Sequence, residues 1–243
     1  MLSVGFKTDK GMKREANEDS VFVLPDRQLY IVADGVGGRS SGEVASRMAV
    51  ESIANYVNDR PIEDVPGGSA LRAYFQDALS EANSRIYEKA SPGGSFSGMA
   101  TTCVLCHVRN GYAYVANVGD SRAYLVRGGV IHQITEDHSA VRELVRSGLI
   151  TEAEARIRPD RNIITRALGG EAGIEADFFS FELLPGDTVI LCSDGLYSEV
   201  EEARIAELCG RYKTMYRLTR QLIDEANRNG GSDNITVVCI RIQ

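Results

Sequence analysis

Two apolar runs in this chain stop in the same way. Tyr30-Ile31-Val32-Ala33 closes on Asp34-Gly35, and Val189-Ile190-Leu191-Cys192-Ser193 closes on Asp194-Gly195. Short β-branched runs read as buried strands, and an acid followed by glycine turns the chain at their ends. Whatever fold the chain adopts has to accommodate buried strands tipped with carboxylates. Asp120 sits between two further strands in Val118-Gly119-Asp120-Ser121, Asp233 stands with Asn234 before the last strand, and Glu18-Asp19 precedes the run at 21–24. A single Asp-Gly is ordinary turn chemistry. Five acidic positions at strand ends, if gathered on one partly desolvated rim, are costly unless cations bind there.

The remaining pattern predicts α+β architecture. Runs at 21–24 and 29–33 flank Pro25-Asp26 and read as a hairpin; those at 101–108, 112–118, 122–126 and 130–134 are separated by turn residues and read as one antiparallel meander. Two more strands are expected at 188–192 and 235–242. Ser40 with Glu43 forms a capping box ahead of Ala45, Met48, Ala49, Ile53, Tyr56 and Val57 at helical spacing. Leu71 to Ile86 and Met215 to Ala226 repeat that one-sided spacing, so each helix should cover a sheet face. No linker rich in Pro, Gly or Ser divides residues 1–243, which are read as one domain.

Charge narrows the function. Lys and Arg number 27 against 34 Asp and Glu, a net charge of −7, which argues against a nucleic-acid binder. No apolar run reaches the roughly 18 residues of a membrane span, and the first residues lack a signal peptide's apolar stretch. Five scattered cysteines do not make a disulfide framework, so a cytoplasmic protein is expected. Hard carboxylate oxygens select Mg²⁺, Mn²⁺ or Ca²⁺, and none of His107, His132 and His138 has the i, i+4 partner of a zinc helix. Two such ions about 4 Å apart are a standard device for in-line attack on phosphorus, with Arg14 as the nearest residue able to hold phosphate oxygens.

Cys103-Val104-Leu105-Cys106-His107 spells a haem-attachment pattern, and Cys103 to Arg109 satisfies Cys-x5-Arg of cysteine phosphatases. Both fall on an apolar strand without the phosphate-cradling loop or export signal those chemistries need.

Six motifs in order, Arg14-Glu15-Ala16-Asn17-Glu18-Asp19, Asp34-Gly35-Val36-Gly37-Gly38, Ala100-Thr101-Thr102, Val118-Gly119-Asp120-Ser121-Arg122, Ser193-Asp194-Gly195-Leu196 and Gly231-Ser232-Asp233-Asn234-Ile235-Thr236, resemble the type 2C metal-dependent protein Ser/Thr phosphatases, the PPM family. The likeness covers the whole chain and is greatest to bacterial members consisting of a catalytic domain alone. It implies an α-β-β-α sandwich of two antiparallel sheets flanked by helices, and hydrolysis of phosphoserine and phosphothreonine in proteins by a metal-bridging hydroxide, without a covalent phosphoenzyme. It implies Mn²⁺ or Mg²⁺ as two core ions: Asp34 bridges them, Glu18 and the Gly35 carbonyl hold one, and Asp194 and Asp233 the other. A third ion, as in bacterial relatives, lies between Asp120 and Asp194. Asp19 accepts from metal-bound water, and Arg14 clamps phosphate. The partners implied are phosphoproteins of a Ser/Thr kinase; the protein is expected to be a monomer that engages neither nucleic acid nor membrane.

Two departures stand out. Val36 occupies the place where many eukaryotic members carry the His proposed to protonate the leaving group, and Ala100 replaces a glycine. Residues 139–166 resemble the family's variable flap and hold six arginines against four acids, which suggests that Arg158 and Arg161 receive anionic phosphopeptides. A solvated helical hairpin is the plainer reading of that segment. For the chain as a whole, a catalytically dead scaffold and a hydrolase of small phosphate esters are the rival readings.

Overall fold

The computed structural model describes residues 1–37, 41–160 and 162–243, and all side chains among them but those of Glu152 and Arg156. The chain runs through strands β1 (Leu2–Asp9), β2 (Asp19–Leu24) and β3 (Leu29–Val36), helices α1 (Ser41–Asp59) and α2 (Ser69–Lys89), then strands β4 (Ala100–Thr101), β5 (Cys103–Arg109), β6 (Tyr112–Val118), β7 (Arg122–Arg127) and β8 (Val130–Gln133). Helices α3 (Ala140–Arg146) and α4 (Glu152–Ile157) precede strands β9 (Asp177–Glu182) and β10 (Thr188–Cys192). Helices α5 (Asp194–Tyr197), α6 (Glu202–Arg211) and α7 (Met215–Asn229) lead to strand β11 (Ile235–Ile242). Ser40, expected to cap α1, lies outside the described residues.

The strands form two antiparallel sheets, one in the order β1-β11-β10-β7-β8 and the other β2-β3-β5-β6-β9, with β4 beside β3. Each central strand is apolar on both faces because each face meets a different layer. On β3, Leu29, Ile31 and Ala33 pack under α1 and α2, while Tyr30 and Val32 point between the sheets. On β10, Ile190 and Cys192 pack under α6 and α7, while Val189 and Leu191 meet the facing sheet. A period of two in side-chain direction thus turns continuous apolar runs into an α-β-β-α sandwich.

The expected single meander is corrected. β5 and β6 pair, and β7 and β8 pair, but β6 continues to β9 while β7 pairs with β10 in the other sheet. Gly119-Asp120-Ser121 is therefore a crossing between layers and not a hairpin turn. Both strands are largely buried, so each needs a ladder on both edges, and separate sheets supply them. β1 also precedes the strand expected to be first; it pairs along its whole length with β11.

Cys103 and Cys106 point to opposite faces of β5, one toward the helices and the other between the sheets. Burial pushes both thiols up to about 12. Neither haem attachment nor phosphate attack is open to them.

Candidate active site

The register puts the strand ends that matter at one end of the sandwich. Asp19 faces Asp34 across β2 and β3, Cys192 just before Ser193-Asp194 pairs with Val237 just after Asp233-Asn234, and Arg122 after the crossing pairs with Cys192. A cavity of about 260 Å³ opens there, lined by Glu18, Asp34, Gly35, Asp120, Asp194 and Asp233, with Arg14 and Val36 also in its wall. Of the expected residues only Asp19 lies behind the lining. It is buried, and one of its oxygens accepts a hydrogen bond from Ser193 Oγ at 2.7 Å.

Each element fixes its acid through the backbone. The Asp34 N–H donates to Thr102 Oγ1 at 2.9 Å, and its carbonyl accepts from Thr101 Oγ1 at 2.8 Å and from the Thr102 N–H at 2.9 Å. Thr102 Oγ1 in turn meets Ser121 Oγ at 2.7 Å, which ties Asp34 to the turn of Asp120. The Asn234 side chain accepts from the Glu18 N–H at 2.8 Å and donates to the carbonyls of Lys10 and Ala16, both at 2.9 Å, so it pins the loop that carries Arg14 and Glu18 to the start of β11. Gly42, in the first turn of α1, shows how closely the wall is built: a Cβ there would lie 2.5 Å from Glu18 Oε2 and 2.7 Å from the Gly35 carbonyl oxygen.

Motif membership alone singled out Thr102, Ser121, Ser193 and Asn234 without giving them roles. Asn162 and Ile164, which also line the cavity, went unnoticed because their segment carries no strand or helix signal that aims them there. Arg14 Nη2 donates to Asp233 Oδ2 at 2.6 Å, and among the described lining residues it supplies the only basic side chain against five carboxylates. Burial, then the neighbouring charges of Asp19 and Asp194, push the Asp34 carboxyl well above its ordinary range. Burial first and like charge second also raise Asp120 to about 7 and Asp194 to about 6; burial raises Asp19 to about 7 against the hydrogen bond from Ser193. Asp19 Oδ1 and Asp194 Oδ1 are buried without a hydrogen-bond donor. Such a set is under electrostatic stress that a bound cation relieves.

The donors fit hard dications: oxygen atoms throughout, Asp194 Oδ1 among them buried and unsatisfied, with the Gly35 carbonyl beside Glu18. Among the described residues no three His, Cys, Asp or Glu side chains close into a ready single-ion cage. Ions of this class keep several waters and need no such cage.

A larger cavity of about 530 Å³ adjoins, sharing Asp120 and Asn162 and walled by α3 and the start of α6. Four acids, Asp120, Asp137, Glu201 and Glu202, line it with Arg122 and Arg142. Arg122 grips Asp137 with two prongs, Nε to Oδ1 at 2.9 Å and Nη2 to Oδ2 at 2.6 Å, and its guanidinium lies 3.6 Å from the centre of the Tyr197 ring. Arg158, expected to receive phosphopeptides, instead makes two hydrogen bonds to Asp160, at 2.8 and 2.7 Å; two residues of separation let the fork close locally. Arg161 lies outside the described residues.

Comparison with known proteins follows the same lines. Residues 12–230 match the family model for protein phosphatase 2C. A serine/threonine phosphatase stp of Listeria innocua is 39% identical over 238 residues, covering 97% of this chain and 94% of that protein. The serine/threonine phosphatase of S. agalactiae superposes with a TM-score of 0.93 at 34% identity over 100% of both chains. The catalytic domain of the serine threonine protein phosphatase PstP, solved in complex with two manganese ions, does so with a TM-score of 0.85 at 34% identity, also over 100% of both.

Proposed function

The chain belongs to the protein phosphatase 2C family and is a metal-dependent serine/threonine protein phosphatase, and from that premise we propose how its own residues divide the reaction. The observation that carries the proposal is the convergence of five carboxylates and one arginine on a single cavity. Glu18, Asp34 and the Gly35 carbonyl would hold one Mn²⁺ or Mg²⁺ ion, Asp34, Asp194 and Asp233 would hold a second, and Asp120 with Asp194 would offer a third position. Such ions, when bound, would supply a water acidic enough to act as nucleophile at neutral pH and positive charge to offset that of the phosphate, the chemistry of in-line displacement without a covalent phosphoenzyme.

The side chains do the rest. Thr101 and Thr102 fix the backbone from which the Asp34 carboxylate projects. Asp19, held by Ser193, orients water from behind the wall. Arg14, more than half exposed and already aimed at Asp233, swings to the non-bridging phosphate oxygens once that carboxylate is otherwise engaged. Val36 is part of the wall and has no proton to give, so the leaving alkoxide takes its proton from elsewhere in the cavity. The whole chain acts as one catalytic domain, with 139–166 as its flap. The neighbouring 530 Å³ cavity favours a protein substrate over a small ester, because it gives the chain flanking a phosphoresidue somewhere to lie. Substrates of this kind are the products of a Ser/Thr kinase. Five buried, unpaired thiols suit a reducing compartment, the cytoplasm.

The test is turnover of phosphothreonine peptides and p-nitrophenyl phosphate with Mn²⁺, Mg²⁺ or EDTA. Hydrolysis that needs the dication and is faster on the peptide is expected; hydrolysis that survives EDTA overturns the reading.

A further inference from the structure

His138 stands where the 139–166 segment leaves the sandwich. It is buried, and its backbone carbonyl accepts from the Thr165 N–H at 2.8 Å, so both ends of the segment meet at this residue. Asp177, the first residue of β9, then clamps both sides of that base: its Oδ2 lies 3.2 Å from His138 Nε2 and its Oδ1 accepts from Arg166 Nη1 at 3.0 Å. The contact to the ring lies off the line of a well-aligned hydrogen bond and is a polar contact with a neutral imidazole.

The other side of the ring faces the crossing between the sheets. His138 Nδ1 accepts the Gly119 N–H at 3.0 Å, which assigns the ring proton to Nε2, and the His138 N–H donates to the Gly119 carbonyl at 3.0 Å. Gly119 has φ of +101°, and a Cβ on it would meet Thr102 Cγ2 at 2.6 Å, so only glycine fits there and the residue has no side chain with which to hold itself. Its position is set from outside, by His138, by Asn117 Nδ2 on the Gly119 carbonyl at 3.1 Å, and by Tyr197 OH on the Asp120 carbonyl at 3.0 Å.

We infer that His138 is a positioning residue that gears the base of the flap to the Asp120 carboxylate, so that metal affinity at Asp120 depends on where the flap is seated. The inference rests on the reading of Asp120 as a metal ligand, and it adds a route by which a substrate that moves the flap alters metal binding. Groups that orient ligands from behind are worth about tenfold or more in metal affinity.

The test uses the full chain, with Mn²⁺ alone as the probe in calorimetric titration, Gly119 amide exchange by NMR in EDTA, and kcat and KM for p-nitrophenyl phosphate. In His138→Ala the Gly119 amide should lose protection without any metal present, the weakest Mn²⁺ site should weaken about tenfold, and kcat should fall with KM changed less than about twofold. His138→Asn, whose Oδ1 stands in for Nδ1, should restore most of the affinity and the amide protection. Wild-type Mn²⁺ affinity in His138→Ala, or an asparagine variant no better than alanine, overturns the inference. Should the alanine variant fail to fold, Asp177→Ala, at a partly exposed position, decides: affinity weakened about threefold supports the inference and unchanged affinity overturns it. Mn²⁺ uptake by the unaltered chain separates the two readings, since its absence defeats the metal assignment itself, whereas uptake unaffected by His138→Ala defeats only the gearing.

Discussion

Aspartates crowd two regions of this molecule and behave oppositely in them. In the belt around the flap and the far sheet edge, Asp137, Asp160, Asp177 and Asp187 each lie within hydrogen-bond reach of an arginine: Arg122, Arg158, Arg166 and Arg127. Burial works to raise the Asp177 and Asp187 carboxyls, but the polar contacts with His138 and Arg166, and the hydrogen bonds from Arg127 and the Leu184 N–H, outweigh it and hold both below the usual range. At the catalytic rim, Asp19, Asp34, Asp120 and Asp194 make no ion pair among the described residues, and burial and like charge raise them. A protein that supplies guanidinium partners to its structural acids and withholds them from four others has left those four for something that is not a side chain.

The contrast breaks most directly at the rim. Asp34→Asn and Asp194→Ala should each lower kcat for p-nitrophenyl phosphate by roughly a thousandfold or more, several kcal/mol of barrier, with unchanged circular dichroism. A change at the far sheet edge, away from the flap, should spare catalysis and harm the fold. Arg127→Ala leaves the buried Asp187 carboxylate without its arginine and should lower the urea unfolding midpoint, with kcat unaltered.

The smallest effect, and the sharpest in sign, is the pH dependence of stability in EDTA. Rim carboxylates bind their protons more tightly folded than unfolded, so their contribution is most favourable below about pH 4 and is lost as pH rises toward the raised values near 6 and 7. Asp177 and Asp187 do the reverse, and their contribution, present above about pH 4, is lost as pH falls further. Metal-free melting temperatures should therefore decline from pH 5 to 7.5, and saturating Mn²⁺ should flatten or invert that slope. A metal-free slope that rises across this interval contradicts the assignment of the rim.

Much of this was readable before any coordinates. Strand-to-acid-to-glycine junctions name the acids at the rim, because the turn that ends a buried strand has to carry a polar residue and only its spacing needs to be seen. The bounds of β10 and β11 follow from apolar runs alone. What escaped depends on partners distant in sequence. β1 alternates weakly, and its pairing with β11 spans the chain. The crossing at Gly119 looks locally like any hairpin turn, and only the demand of β6 and β7 for different neighbours sends them apart. The arginines of the flap suggested a surface for phosphate, yet a local charge count is blind to Asp160 and Asp177 waiting within reach. His138 was dismissed as a zinc ligand for want of an i, i+4 partner, and its attachment to a backbone amide leaves no pattern in composition or spacing.

Asp34 belongs to one sheet, while Asp194 and Asp233 hang from the other. Anything gripped by all three is a rivet through both layers at the open end of the sandwich, while the apolar interior between the sheets closes the remainder. If a metal pair is that rivet, metal content becomes a mechanical property as well as a chemical one, and limited proteolysis should cut first at the mouth when manganese is withheld.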